Sequence, residues 1–396
     1  MHHTVRAVND LTTRWGRAVA EPGQNTVFSA PGAWAPLALL AAGAGGTAAA
    51  ELAEALAVRP DAAAEAGREL LDALDRIRGV RTAVGVWTRD RLPLDLRWQA
   101  ALPPHTRGRI TGDEDVDRAA VDAWAAGRTG GEIPRMPIAV DENTELLLAG
   151  ALTVRTDWIR RFTGDVRKFG SGPWQDRHVG VLDRRTALLD RVGVAETAAG
   201  PLTVLQVLGL QGVDVHLCLG PADAAPGEVL AAAVRTAERP ALLRPGSALP
   251  DGEPGPGLHA HWTPSYWREP ELAVTTVAFD LTERHDLLDR AEVFGLRAAT
   301  DLTRGHFPGI STHPLAVGAA AQSVTAAFGP RGFRAAAVTA LGIAVGCAAE
   351  RPPYRVRRIS AVFDRPFAFL AVHRASRLVL AAGWVAEPAA VPEPRW

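Results

Sequence analysis

The chain has 396 residues, 47% hydrophobic and 22% charged, with a formal net charge of −1. That apolar content suffices for a large core, and the interspersed charges exclude a basic nucleic-acid surface or a patch for anionic membranes. Two cysteines, Cys218 and Cys347, are too few for a disulfide framework and lack metal-ligand spacing. No basic segment followed by an apolar run opens the chain, and no stretch of about 20 apolar residues occurs later. The expectation is a soluble, cytoplasmic, monomeric protein without cofactor or metal. Length alone is compatible with two or three domains or one large mixed domain.

In chain order, Val5, Val8, Leu11, Trp15 and Val19 stand near helical spacing and predict an amphipathic first helix from about Thr4 to Ala20. Asn25 to Ser29 reads as a short strand. The apolar run from Ala33 to Ala44 reads as a buried helix broken at Gly45 and Gly46. Helices are expected over Ala48–Leu56, with Thr47 as cap, and over Ala62–Ile77. Arg81 to Trp87 is β-like and Leu92 to Leu102 amphipathic. A helix over Val116–Arg128 should end at Thr129, Gly130 and Gly131. Leu146–Val154 is an apolar strand, with Trp158 and Phe162 soon after.

Farther on, Thr203–Leu219 alternates as two strands joined at Gln211 and Gly212. Arg239–Pro270, rich in Pro and Gly, reads as a surface loop anchored by aromatics. Within it, His259 and His261 would share a strand face and could co-ligate a metal, but no third ligand is placed by spacing, so no metal site is expected. Val274–Leu281 is expected as a strand and Leu287–Phe294 as a helix. From Phe328 to Phe367 a glycine-flanked, alanine-rich segment runs into an arginine- and proline-rich tail. Arg334–Val345 has too many small and β-branched residues for a helix. It fits a surface loop or a strand with both faces covered.

Several patterns together resemble the serpin family of serine protease inhibitors. Asn25, Phe28, Ser29 and Leu37–Gly43 are similar to that family's short strand and buried helix. Trp124, Thr129, Gly131, Glu132 and Ile133, then Leu147–Val154, Thr156, Trp158 and Phe162, follow its next motifs. Phe307, Gly309, Ile310 and Ser311 match the turn before its hinge strand, and Phe363, Pro366, Phe367, Gly383, Val385 and Pro388 its terminal signature. The resemblance implies a single α+β domain over residues 1–396. It would have about three β-sheets surrounded by eight or nine helices, and an exposed reactive-centre loop over about 332–362.

The resemblance also implies a mechanism in which a protease cuts the loop, forms an acyl-enzyme and is carried off as the cut loop enters a sheet. Family spacing from Gly332 places the cut at Gly346 and Cys347, an arm of about 50 Å as strand. The hinge would comprise Pro330, Gly332, Phe333, Arg334, Ala335, Ala336 and Ala337. Phe333 stands where inhibitory members carry a small hydroxyl residue, and overpacking a ring there would cost roughly 1–3 kcal/mol as insertion starts. Pro330 favours a turn. At the opening beneath the sheet, Gly32, Gly150 and Gln322 stand where the family has serine, asparagine and histidine. Cleavage after Arg355, Arg357 or Arg358 would leave an arm too long to distort a protease.

These departures lead to the expectation that suicide inhibition has been lost. The partner would then be a small apolar ligand, bound or converted without cofactor, for instance by a cyclase-type reaction. Hormone-carrying members bind between a helix and the terminal strands, which points to Arg290, His373, Arg377 and Trp384; no catalytic acid or base is assigned. The alternative is an inhibitor of a serine or cysteine protease cleaved near Gly346–Cys347.

Overall fold

The computed structural model describes residues 1–136, 144–301, 303–333 and 352–389. Among them are eight α-helices: α1 (His2–Val19), α2 (Ala30–Ala41), α3 (Gly46–Leu56), α4 (Pro60–Asp75), α5 (Leu96–Ala101), α6 (Glu114–Thr129), α7 (Pro226–Glu238) and α8 (Ala291–Phe294). The apolar stripe of α1 is buried as its spacing requires, and the Trp15 ring meets Phe28, His285 and Phe294 with centroids 4.9, 5.1 and 4.9 Å away. All twelve residues of α2 are buried, and Ser29 caps it by accepting the Gly32 N–H. The predicted helix over Leu92–Leu102 shrinks to α5. The Asp95 carboxylate accepts the N–H groups of Arg97 and Trp98 and fixes the start there, leaving Leu92 and Leu94 outside. No helix among the described residues is long and apolar enough to cross a membrane.

Three sheets carry the rest. The central one runs β3 (Arg107–Ile110), β2 (Val80–Arg89), β4 (Leu146–Val154), β15 (Ala319–Phe328), β16 (Gly332–Phe333) and β5 (Thr156–Asp157), with β14 (Phe279–Asp286) on the other edge of β15. A five-stranded sheet is ordered β12 (Leu258–Ser265), β17 (Tyr354–Val362), β13 (Glu271–Val277), β7 (Val179–Thr186) and β6 (Thr163–Arg167). The third is ordered β1 (Thr26–Phe28), β19 (Val379–Val385), β18 (Phe367–His373), β10 (Val213–Leu219), β9 (Gly200–Val207), β8 (Val192–Thr197) and β11 (Arg244–Pro245). Phe279, Phe328, Phe333 and Phe369, all fully buried, link the central sheet to the third.

The α+β expectation of about three sheets surrounded by eight or nine helices is met by three sheets and eight helices among the described residues, while some elements differ. The apolar run Val274–Leu281 is two strands in two sheets, switching at Ala278, whose N–H bonds to Gly180 O at 3.0 Å. A continuous apolar run reads the same whether or not it changes sheet. Leu287–Phe294 is a 3₁₀ turn, Leu288–Arg290, followed by the short α8, which Gly295 ends at φ +69°. Within Arg239–Pro270 lies the full strand β12, in place of the expected loop.

His216, in the middle of β10, is buried, and burial pushes its pKa down to about 4 against the opposing pull of Asp214. The unfolded imidazole titrates near 6.5, so between that value and 4 the unfolded chain binds more protons. Stability present above pH 6.5 should therefore fall by about 3 kcal/mol as pH drops toward 4. Thermal melts from pH 7 to pH 4 should show this decline, and His216→Leu should flatten it.

Candidate functional site at the ends of segment 334–351

Two fixed arms flank residues 334–351, which lie outside the described residues and include Arg334, Ala335, Ala336, Ala337, Gly346 and Cys347. The leading arm starts where β15 ends. Gly329, Pro330 and Arg331 reverse the chain, and Gly332–Phe333 returns as β16, with Phe333 opposite Phe328 on β15 and Thr156 on β5. The turn is tied down from one side. Trp158 donates its backbone N–H to Arg331 O (2.9 Å) and its indole Nε1–H to Gly329 O (2.8 Å), and the Phe162 N–H reaches Pro330 O (2.8 Å). Pro330 sits in the reversal, where its missing N–H costs no ladder bond. Gly332 is required by contact: a Cβ there would stand 2.4 Å from Thr156 O.

Phe333 is fully buried and its ring lies 6.1 Å from that of Phe369. This corrects the expected overpacking penalty. The slot for the ring already exists and is already filled, so burying it adds no cost when further residues enter the sheet.

Directly below β16, β4 and β15 pair with each other over seven residues, from Ala319↔Leu147 to Thr325↔Thr153. The opening predicted around Gly32, Gly150 and Gln322 is built differently from the family pattern, yet its bonds are complete. Gln322 is fully buried; its Nε2 donates to Ser29 O (2.7 Å) and its Oε1 accepts Ser29 N–H (2.9 Å), while Ser29 Oγ donates to Leu380 O (2.7 Å). Gly150 stands opposite Gln322 in register, and a Cβ on it would lie 2.4 Å from Gly32 O. Hence β15 is bonded to the start of α2, while Gly150 of β4 meets the Gly32 carbonyl with no side chain to hold it.

The trailing arm is β17. It is an interior strand, paired antiparallel with β12 over eight residues and parallel with β13 over five. Arg357 donates to Leu249 O and faces Asp251 at 3.5 Å, and Arg358 meets Glu271 at 3.0 Å. A protease needs its substrate as a free extended strand, so Arg355, Arg357 and Arg358 are held away from cleavage. The shared strand face expected for His259 and His261 is part of β12, and the alternation of Leu258 and Ala260 with them is the signal of the full strand. The two imidazoles lie 4.9 Å apart, and among the described residues no three metal-ligating side chains converge.

The four residues expected at a ligand pocket are spread out. Arg290 is exposed on its 3₁₀ turn. His373 and Arg377 flank the β18–β19 turn, where Arg377 adopts φ +64° and its carbonyl accepts Asn9 Nδ2–H at 3.0 Å. Partial burial lowers the His373 pKa, with Arg374 adding to the effect and Asp214 opposing it. Trp384 is buried seven residues from Arg377 along β19, opposite Thr26, about 20 Å away at strand rise. Cys218 is buried and its thiol pKa is raised by burial, which leaves it unreactive.

A central sheet with a strand slot at its upper end, and a chain segment leaving from that slot to return inside a second sheet, define the serpin fold. Solved structures agree. Native protease nexin-1, crystallised with heparin, matches with a TM-score of 0.72 at 16% identity, covering 98% of this chain and 99% of that one. Serpin48 of the insect Tenebrio molitor matches at 0.70 and 17%, with 98% of each chain covered. Tengpin, a thermophilic serpin in its native state, matches at 0.74 and 12%, covering 97% of this chain and 94% of that one. The serpin (serine protease inhibitor) family model matches residues 6–169, and the chain is a serpin-fold protein whose N-terminal part carries that family's sequence pattern. No curated protein matches it in sequence.

Proposed function

We propose that this chain inhibits a serine or cysteine protease by loop insertion, with segment 334–351 as bait. The observation that carries the reading is β16: the turn that must lead a strand back into the central sheet is already made, and its first inward side chain, Phe333, is already seated. The protease nucleophile attacks the bait carbonyl, at Gly346 on the family spacing. The peptide bond to the next residue breaks, its nitrogen leaves as the new amine, and an acyl-enzyme ester or thioester remains. With β17 held on both edges, the two cut ends are free to part. The leading one then extends β16 downward between β4 and β15. For this, β4 must leave β15, and the smooth Gly150–Gly32 contact allows that while Gln322 keeps β15 in place.

The small residues around Gly346 suit an elastase-like or subtilisin-like specificity pocket better than a trypsin-like one. Incubation with pancreatic elastase and with subtilisin should yield a one-to-one complex that survives boiling in SDS, joined to the fragment ending at the cut. Complete cleavage by every protease of such a panel, without any such complex, would overturn the reading in favour of a non-inhibitory protein.

A further inference from the structure

The cleft between β2, β3 and α5 encloses about 410 Å³, well within the range of small-molecule sites. Register fixes one wall. Val86 pairs with Arg107 and Thr88 with Arg109, so these four side chains share one face of the sheet, opposite to that of Trp87. The other wall comes from α5 and its approach: Leu92, Leu94, Trp98 and Leu102 line the cavity. The indole N–H of Trp98 is bonded to Leu39 O at 3.1 Å, which fixes the ring in the cavity wall. The floor is therefore apolar and held in place.

The rim is cationic. Arg89 is not part of it: two residues after Trp87, it shares that ring's face of the sheet, and its Nη1 would meet a Cβ on Gly112 at 1.6 Å. Arg109 meets Asp90 at 3.5 Å, an open pair that a ligand anion can replace at little cost. Arg107 has no ion-pair partner among the described residues. Two guanidinium groups, those of Arg107 and Arg109, thus stand on the cleft face, and Asp90 is the acidic residue among the described lining residues.

We propose that this cleft binds a small amphipathic carboxylate, a medium-chain or aryl acid, with its apolar body against Leu92, Leu94, Trp98 and Leu102 and its carboxylate on Arg107 and Arg109. The apolar floor disfavours a bare polyanion, which would leave it dry and unused, and the arginines disfavour a cation. The site lies at the end of β2 remote from β16, because Thr88 pairs with Leu146 at the start of β4 while β16 stands beyond its end. It therefore does not depend on the protease reading.

Calorimetric titration of the intact protein with decanoate, decanol and decyltrimethylammonium, each kept below its micelle concentration, tests this. Decanoate should bind one-to-one, decanol at least about tenfold more weakly, and the cation not at all up to about 1 mM. Arg107→Ala with Arg109→Ala, both on exposed side chains, should weaken decanoate about tenfold or more without moving the melting temperature. Equal binding of acid and alcohol, an unchanged affinity in the double variant, or no decanoate binding at 1 mM would each overturn the assignment.

Discussion

Cutting the intact protein once within residues 334–351 should raise its melting temperature by at least about 10 °C. Phe333 points inward, and side chains alternate along a strand, so in an extended β16 the inward positions would be Ala335, Ala337, Thr339, Leu341, Ile343 and Val345. All but Thr339 are apolar, and the one charge close to the hinge, Arg334, falls on the outer face. Entry of this strand would exchange the single β4·β15 ladder of seven pairs for two ladders, one on each edge. At about 0.5–1.5 kcal/mol net for each added hydrogen bond, the gain is on the order of 10 kcal/mol. In a chain of this length such a gain moves the melting point by roughly ten degrees. Scanning calorimetry of intact and singly nicked protein checks it, the C-terminal piece remaining bound through β17, β18 and β19. Equal or lower stability after the cut would show that the strand does not enter, and with it the inhibitory reading would fall.

The fold was legible where local chemistry and long-range packing agree. The apolar run from Ala33 announced a buried helix, and Gly130 the end of α6, because an unbroken apolar run must be covered and a left-handed residue ends a helix whatever lies nearby. The elements that escaped are those defined by partners distant in sequence. Strand β12 sits among prolines and glycines and becomes a strand because β17, about a hundred residues later, supplies its hydrogen bonds. Helix α7 is not among the expected elements, although its pattern is amphipathic and ten of its thirteen residues are buried. Its remaining signals were Pro226 at the first position and Glu228 in the first turn.

The candidate site divides in the same way. The hinge position could be located by counting, and so could the unusual residues at the opening. What each substitution does there depended on neighbours that counting cannot provide. A phenylalanine at the hinge looks too large until Phe369 and the bare backbone of Gly332 are seen beside it. A glutamine at position 322 looks like a lost histidine until its amide is seen holding both backbone groups of Ser29. In each case the change of side chain is matched by space or by a backbone partner on another element.

The same geometry makes Phe333→Asp the most informative substitution at the hinge. The carboxylate would enter a fully buried slot against the Phe369 ring, at a cost of several kcal/mol, and β16 would leave the sheet. Trapping a protease is a race between strand entry and hydrolysis of the acyl bond. Raising the barrier to entry by about 1.4 kcal/mol slows it tenfold. The wild-type protein should then consume close to one molecule per protease trapped, and Phe333→Asp more than about ten, the excess appearing as cleaved, uncomplexed chain. Phe333→Leu, which keeps an apolar side chain in the slot, should stay near the wild-type value. Titration of residual protease activity against added protein gives these ratios directly. If Phe333→Asp traps as well as wild type, then β16 is not the leading edge of insertion, and the pre-seated Phe333 has no part in the inhibitory step.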